Sequence, residues 1–229
     1  MEVEMYVEIP KGSSNKYEYN PVTKKLELDR VLAGAMYYPE EYGFIPETLD
    51  YDGDPLDVIC LTNQPTFPGC QVPIRIIGVL KMIDGGEEDD KILAVNAADP
   101  RLKKINRLKD ISQEKLAEIN NFFLRYKELE NKKVIIGKWE DKKKAQKVLT
   151  SCQKLYSKFI RTIEKGISKK ELIRTLNQQK KNNDALVTVM SIMENKNEYI
   201  LTDEEREKLI TMAEEGKDKT LEELKKYYQ

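Results

Sequence analysis

Hydrophobic and polar positions alternate cleanly at the start of the chain. Val3, Met5, Val7 and Ile9 fall on one side, and Glu2, Glu4, Tyr6 and Glu8 on the other. A period of two predicts a half-buried strand, ended by Pro10. The alternation resumes at Lys16-Tyr17-Glu18-Tyr19 and puts Lys16 and Glu18 on one face. Leu26 and Leu28 predict a third strand. Arg30 shares their parity, so that strand is expected to end or bend there. Residues 34–49, rich in Gly, Pro and Tyr, have no period and predict an irregular loop packed by aromatics. Buried Tyr hydroxyls need partners, so Tyr37, Tyr38 and Tyr42 either pack that loop or turn a hydroxyl to a polar ligand. Further strands are predicted at 58–61, at 72–83 with Val72, Ile74, Ile76, Leu80 and Met82 in phase, at 92–95 and at 134–137.

The period turns helical at Ser112, which suits an N-cap, with Ile111 and Leu116 spaced as a hydrophobic staple. The apolar stripe runs Leu116, Ile119, Phe122 or Phe123, Tyr126 and Leu129. A second helix is predicted from Asp141, with Val148, Cys152, Leu155, Phe159 and Ile163 in phase, stopping at Gly166. Ser168 with Glu171, Thr202 with Glu205 and Thr220 with Glu223 have capping-box spacing. They predict helices near 169–181, 184–195, 203–215 and 220–228. The expectation is an α+β domain over 1–165 and an all-helical extension over 166–229, whose apolar content is marginal for a free-standing fold.

Charge changes this picture by its distribution. The net charge of −1 points to no nucleic-acid or membrane partner. Residues 1–100, however, carry 19 acidic and 8 basic side chains, a net −11, while residues 127–181 carry 6 and 17, a net +11. The acidic part suits cations. The basic part is read as solvated helix faces, because few aromatics interleave for base stacking. The alternative, a nucleic-acid or partner-binding module, predicts salt-dependent association. The chain has no histidine. That removes Ser-His and Cys-His nucleophiles, and leaves hard cations with oxygen ligands as the natural metals. Three cysteines without CxxC spacing, no signal peptide and no long apolar run give the expectation of a cytoplasmic protein with reduced thiols.

The densest chemistry lies at Asp50-Tyr-Asp-Gly-Asp-Pro-Leu-Asp57. Four carboxylates on a Gly/Pro turn repel one another unless they are solvated or share a cation, and the stretch by itself is consistent with either. EF-hand spacing fails from both Asp50 and Asp52, because the Gly and Glu that the loop needs are missing. A second acidic loop, Asp84-Gly-Gly-Glu-Glu-Asp-Asp90, is either an exposed hairpin tip or a second set of ligands for the same cations. Lys16, Arg30, Lys91 and Lys127 stand near strand ends or on a helix, with Tyr42 and Tyr126 as hydroxyl donors. Carboxylate-held Mg²⁺ together with Lys and Arg describes a site for a phosphate-rich substrate. No Walker motif or dinucleotide turn is present.

Asp52-Gly-Asp-Pro-Leu-Asp57 resembles the D-G-D-P-x-D signature of the family I soluble inorganic pyrophosphatases. The resemblance extends in order through Val7-Glu8-Ile9-Pro10, Lys16-Tyr17-Glu18, Asp29-Arg30, Tyr38-Pro39, Glu41-Tyr42-Gly43, Gly78 to Met82, Asp84 to Asp89 with Lys91, and Phe122-Phe123 with Tyr126-Lys127. It implies a small OB-like β-barrel with flanking helices that hydrolyses pyrophosphate to two phosphates with several Mg²⁺. It further implies Asp52, Asp57, Asp84 and Asp89 as metal ligands, with Glu8 and Glu18 supporting further metal or its water shell. Asp54 is implied as the general base. Lys16, Arg30, Tyr42, Lys91, Tyr126 and Lys127 are implied as phosphate-binding groups. The bacterial members imply a homo-oligomer, commonly a hexamer. Gly85 departs from the pattern, which often has an acid there, and the resemblance is silent on the extension.

Overall fold

The computed structural model describes residues 2–20, 23–50, 54–84, 87–130 and 134–164. The helices expected beyond Gly166, Asp52, the Gly85-Gly86 pair and the side chains of Phe159 and Ile163 lie outside the described residues. The described strands are β1 (Glu2–Ile9), β2 (Asn15–Asn20), β3 (Lys25–Val31), β4 (Glu41–Phe44), β5 (Asp57–Leu61), β6 (Gln71–Asp84), β7 (Glu87–Glu88), β8 (Lys91–Asn96) and β9 (Val134–Asp141). The helices are α1 (Gln113–Arg125) and α2 (Lys142–Glu164).

Five strands close into a ring. β1 pairs β4, β4 pairs β5, β5 pairs β8, β8 pairs β6, and β6 returns to β1. Only the β5–β8 pairing in that ring is parallel. β7 and β9 extend from β6, and β2 with β3 forms a separate two-stranded sheet. Closure leaves few strand edges to solvate. It also explains why β5 reads as a solid apolar run. Ile59 and Leu61 enter one core and Val58 and Cys60 the other, so both faces are covered.

Within β1 the expected face is buried at Met5, Val7 and Ile9. The long strand β6 departs from its expected single phase. Val72, Ile74 and Ile76 share a core with Val79, whereas Leu80 and Met82 join the opposite core with Ile77. A register shift against β8 between Ile76 and Gly78 inserts one residue, and an inserted residue exchanges the two faces beyond it. β3 runs through Arg30 to Val31. Leu28 is exposed, so no buried leucine face exists for Arg30 to disrupt. The loop expected over 34–49 contains β4. Its Gly43 lies opposite Val7, and a Cβ there would overlap the Tyr6 carbonyl oxygen and stand 3.0 Å from the Glu8 nitrogen. Backbone cannot yield as a side-chain tip does. Gly43→Ala is therefore expected to lower stability by about 3 kcal/mol or more, read by urea unfolding.

α1 is capped as expected. Ser112 Oγ accepts the Lys115 N–H at 3.2 Å, and Leu116, Ile119, Phe122 and Phe123 are buried. Leu129 lies beyond the helix end at Tyr126 and is 68 % exposed, so the stripe stops one turn early. α2 buries Ala145, Leu149 and Cys152, with Val148 only partly covered, and Asp141 caps its start by accepting the Lys144 N–H at 3.0 Å.

Two compact units divide the chain, and residues 1–19, 26–48 and 55–152 make the first, which holds the ring and α1. Residues 20–25, 49–54 and 153 onward belong to the second. Within it Asp50 N–H donates to the Asp54 carbonyl at 2.7 Å, closing the acidic turn, and Thr23 N–H donates to Asn20 Oδ1 at 3.1 Å.

Candidate active site

The site is built where the ring's strand ends meet the end of α1. Asp57 opens β5, Lys91 opens β8, Tyr42 lies on β4, and Asp84 closes β6. Lys91 is 2 % exposed and its ammonium donates to both Asp57 and Asp89. Burial works against that ammonium. The Asp57 and Asp89 carboxylates outweigh it and hold its pKa well above the usual range. Tyr42 Oη donates to Asp57 Oδ2 at 2.6 Å, and Lys91 stands 5.7 Å from the Tyr42 ring centre. Of the three loop tyrosines, Tyr42 thus turns its hydroxyl to a site carboxylate, Tyr38 is buried against Phe122, and Tyr37 is exposed.

A second group gathers at Asp84. Tyr126 Oη donates to Asp84 Oδ2 at 3.1 Å, and Lys127 donates to the same oxygen. Burial pushes the Tyr126 phenol up, and the Asp84 charge raises it further, so it stays a donor. Helix periodicity carries Tyr126 here: it follows Phe122 and Phe123 on the buried face and packs on both, with ring centres 5.4 and 5.6 Å away.

A third group lies on the β2–β3 hairpin. Lys16 pairs with Glu18 and reaches Asp29 Oδ2 at 3.4 Å. Burial opposes the Lys16 charge, and Glu18, Tyr38 and Asp29 together more than offset it. Arg30 donates through Nε to Glu130 at 2.8 Å and through Nη1 to Asp29. Its Nη2 is buried without a hydrogen-bond partner among the described residues. Glu8 on β1 accepts the Tyr19 N–H at 2.7 Å, and burial pushes its carboxyl up to about 8.

These groups feel one another. The Tyr38 phenol, raised by burial, senses Lys16, Arg30, Asp57 and Lys91 together, and Asp89, also raised by burial, senses Lys91, Asp57 and Asp84. Among the described residues no three acidic side chains stand close enough to hold a metal by themselves. The donor set nevertheless fits a hard cation. It is all carboxylate oxygen, and these carboxylates already require positive charge, which Lys91 and Lys127 supply. Asp54 belongs to the second unit.

Sequence reasoning gave no role to Asp29, Glu130 or Glu40. Asp29 had a signal, its place beside Arg30. Glu130 lies 100 positions from the arginine it holds, and nothing local connects them.

Residues 5–157 match the family model described as inorganic pyrophosphatase. The chain belongs to the inorganic pyrophosphatase family. It is an enzyme, a hydrolase of the inorganic diphosphatase class. It is 51 % identical over 150 residues to the inorganic pyrophosphatase of Halalkalibacterium halodurans, covering 66 % of this chain and 92 % of that one. It is 50 % identical over 159 residues to that of Ureaplasma parvum, covering 69 % and 88 %. The crystal structure of inorganic pyrophosphatase from Thermus thermophilus superposes with a TM-score of 0.67 at 43 % identity, covering 68 % of this chain and 91 % of that one. The family model ends at residue 157, and each of the three pyrophosphatases covers about two thirds of this chain.

Proposed function

We propose that this pyrophosphatase family member hydrolyses inorganic pyrophosphate to two orthophosphates in a Mg²⁺-dependent reaction, on a small OB-like barrel formed by the five-strand ring. The observation that carries the reading is Lys91, a buried ammonium shared by Asp57 and Asp89 beside two further cation–carboxylate groups. Acids that need positive charge, next to cations able to grip phosphate, suit a polyanion that arrives with its own metal.

In this reading Asp52, Asp57, Asp84 and Asp89 hold Mg²⁺, and Glu8 and Glu18 support further metal or its water shell. When bound there, the cations neutralise the diphosphate and acidify nearby water. Asp54 accepts the proton of the attacking water. Lys16, Arg30, Tyr126 and Lys127 bind phosphoryl oxygens. The unpartnered Arg30 Nη2 supports that role, because a buried guanidinium N–H gains from an anionic acceptor. Lys91 and Tyr42 orient Asp57, and join the phosphate contacts as charge develops on the leaving group. Water exclusion is favoured by the ring stack of Tyr38, Tyr42, Phe122, Phe123 and Tyr126 under the site.

The lack of a disulfide at Cys60, Cys70 and Cys152 supports a reducing, cytoplasmic setting. No described helix is long and apolar enough to cross a membrane. We further assign residues 1–165 as the catalytic domain, 166–229 as a helical extension, and the assembly as a homo-oligomer, a hexamer by resemblance. The test is phosphate release from pyrophosphate with fresh Mg²⁺, Mn²⁺ or Zn²⁺, and mass by light scattering on the same sample. Two phosphates per pyrophosphate with Mg²⁺ is the expected result. No release with Mg²⁺ overturns the reading, and a monomeric mass overturns the assembly.

A further inference from the structure

Glu40 is a buried carboxylate, 3 % exposed, just ahead of β4. A buried acid keeps its charge only with close partners. Glu40 has three, from three different segments. Lys11, after β1, donates to Oε1 at 3.0 Å and Oε2 at 3.1 Å. Thr62 N–H, one residue past β5, donates to Oε2 at 3.1 Å. The Lys115 ammonium, in the first turn of α1, lies 2.8 Å from Oε1. Lys11 also donates to the Thr62 carbonyl at 3.0 Å, closing a loop of contacts.

Each of these segments delivers a site residue. β1 carries Glu8, β5 begins with Asp57, and Tyr126 and Lys127 directly follow α1. Glu40 itself precedes Tyr42, which bonds Asp57. The far end of α1 rests on Tyr38 through Phe122, ring centres 4.7 Å apart. A helix held by an ion pair at one end and ring packing near the other is fixed in rotation and in position along its axis. Glu40, not itself in the site, adds a charged tie between that helix and the end of β5 to the core in which Ile59 and Leu61 meet Leu116 and Ile119.

We infer that Glu40 is a positioning residue. Through Lys115 and Thr62 it sets the end of α1, and so Tyr126 and Lys127, against the Asp57 end of β5. The inference rests on the proposed hydrolysis for its kinetic consequence only. Glu40→Gln keeps the shape and one acceptor for Thr62, but removes the shared carboxylate charge, leaving Lys11 on the Thr62 carbonyl and Lys115 on Glu118. It is expected to lower kcat/KM roughly tenfold to a hundredfold, the scale of a small misplacement of binding groups.

A merely structural Glu40 would lower stability alone, so the test is a pair of double-mutant cycles on the full-length protein. Glu40→Gln with Tyr126→Phe is expected to be non-additive in kcat/KM, because both act through the end of α1. Glu40→Gln with Lys16→Met is expected to add within about twofold. Additivity in both cycles overturns the inference. Hydrogen exchange supplies a readout independent of activity. In Glu40→Gln the Tyr126 amide, bonded to the Phe122 carbonyl, is expected to exchange faster while the β6–β8 amides keep their wild-type rates. An unchanged Tyr126 amide overturns the inference. Absence of phosphate release by the wild type overturns the proposed hydrolysis instead, and leaves the exchange result to decide Glu40.

Discussion

Asp54→Asn is expected to cut turnover about 10²- to 10⁴-fold, the range for loss of a positioned general base. The substitution keeps the side chain's shape and removes its basicity. The main-chain bond from Asp50 N–H to the Asp54 carbonyl does not involve the substituted group. Mg²⁺ binding, followed by calorimetry, should therefore stay close to wild type while phosphate release collapses. If Mg²⁺ binding is lost and turnover is retained, Asp54 is a ligand and the proton is taken elsewhere.

Lys91→Met carries the second large effect, and it bears on stability as well as rate. The Lys91 ammonium sits between Asp57 and Asp89 at 2 % exposure. Its pKa is raised in the folded protein, so its contribution is fully present below the unfolded pKa and is lost only as pH rises through the higher folded value. At neutral pH the wild type holds all of it. Removing the cation leaves two half-buried carboxylates without their shared ammonium, only Asp57 keeping a donor in Tyr42, and Asp89 is already pushed up by burial. Breaking a buried pair in this way costs about 3–5 kcal/mol, read by urea unfolding in a chelator. A bound divalent cation would return part of this. Ligand at a hundredfold excess over its Kd stabilises by about 2.7 kcal/mol. Mg²⁺ should thus raise the unfolding midpoint more in Lys91→Met than in wild type. An equal or smaller rise would show that Lys91 and the metal do not share these carboxylates.

Both substitutions probe residues whose chemistry was legible in the chain and whose partners were not. Lys91 stood out beside an acidic loop, yet its bond to Asp57 spans 34 positions and depends on the parallel pairing of β5 with β8. Parallel pairing leaves no local trace comparable to a hairpin turn. The face exchange within β6 was equally hidden. A bulge depends on how the partner strand registers, and apolar residues on both sides of the inserted position satisfy either phase. In the sequence, Pro39, Gly43 and Pro46 argue against a strand where β4 forms. The structure uses Gly43 for close approach of β1, which is a tertiary reason for a glycine.

What the sequence determined by itself was local or compositional. The period of β1, the Ser112 cap and buried stripe of α1, the solid apolar run of β5 and the absence of histidine each follow from residues a few positions apart. The acidic signature around residues 52–57, with its ordered companions, was enough to reach the family. Tertiary structure decided which charges meet. Ring closure brings β1, β4, β5, β6 and β8 together, seats Lys91 between two aspartates, and leaves Glu40 buried among Lys11, Thr62 and Lys115. A buried charge is stable only where partners from distant segments converge on it, and that convergence is a property of the closed sheet, not of any short stretch of chain.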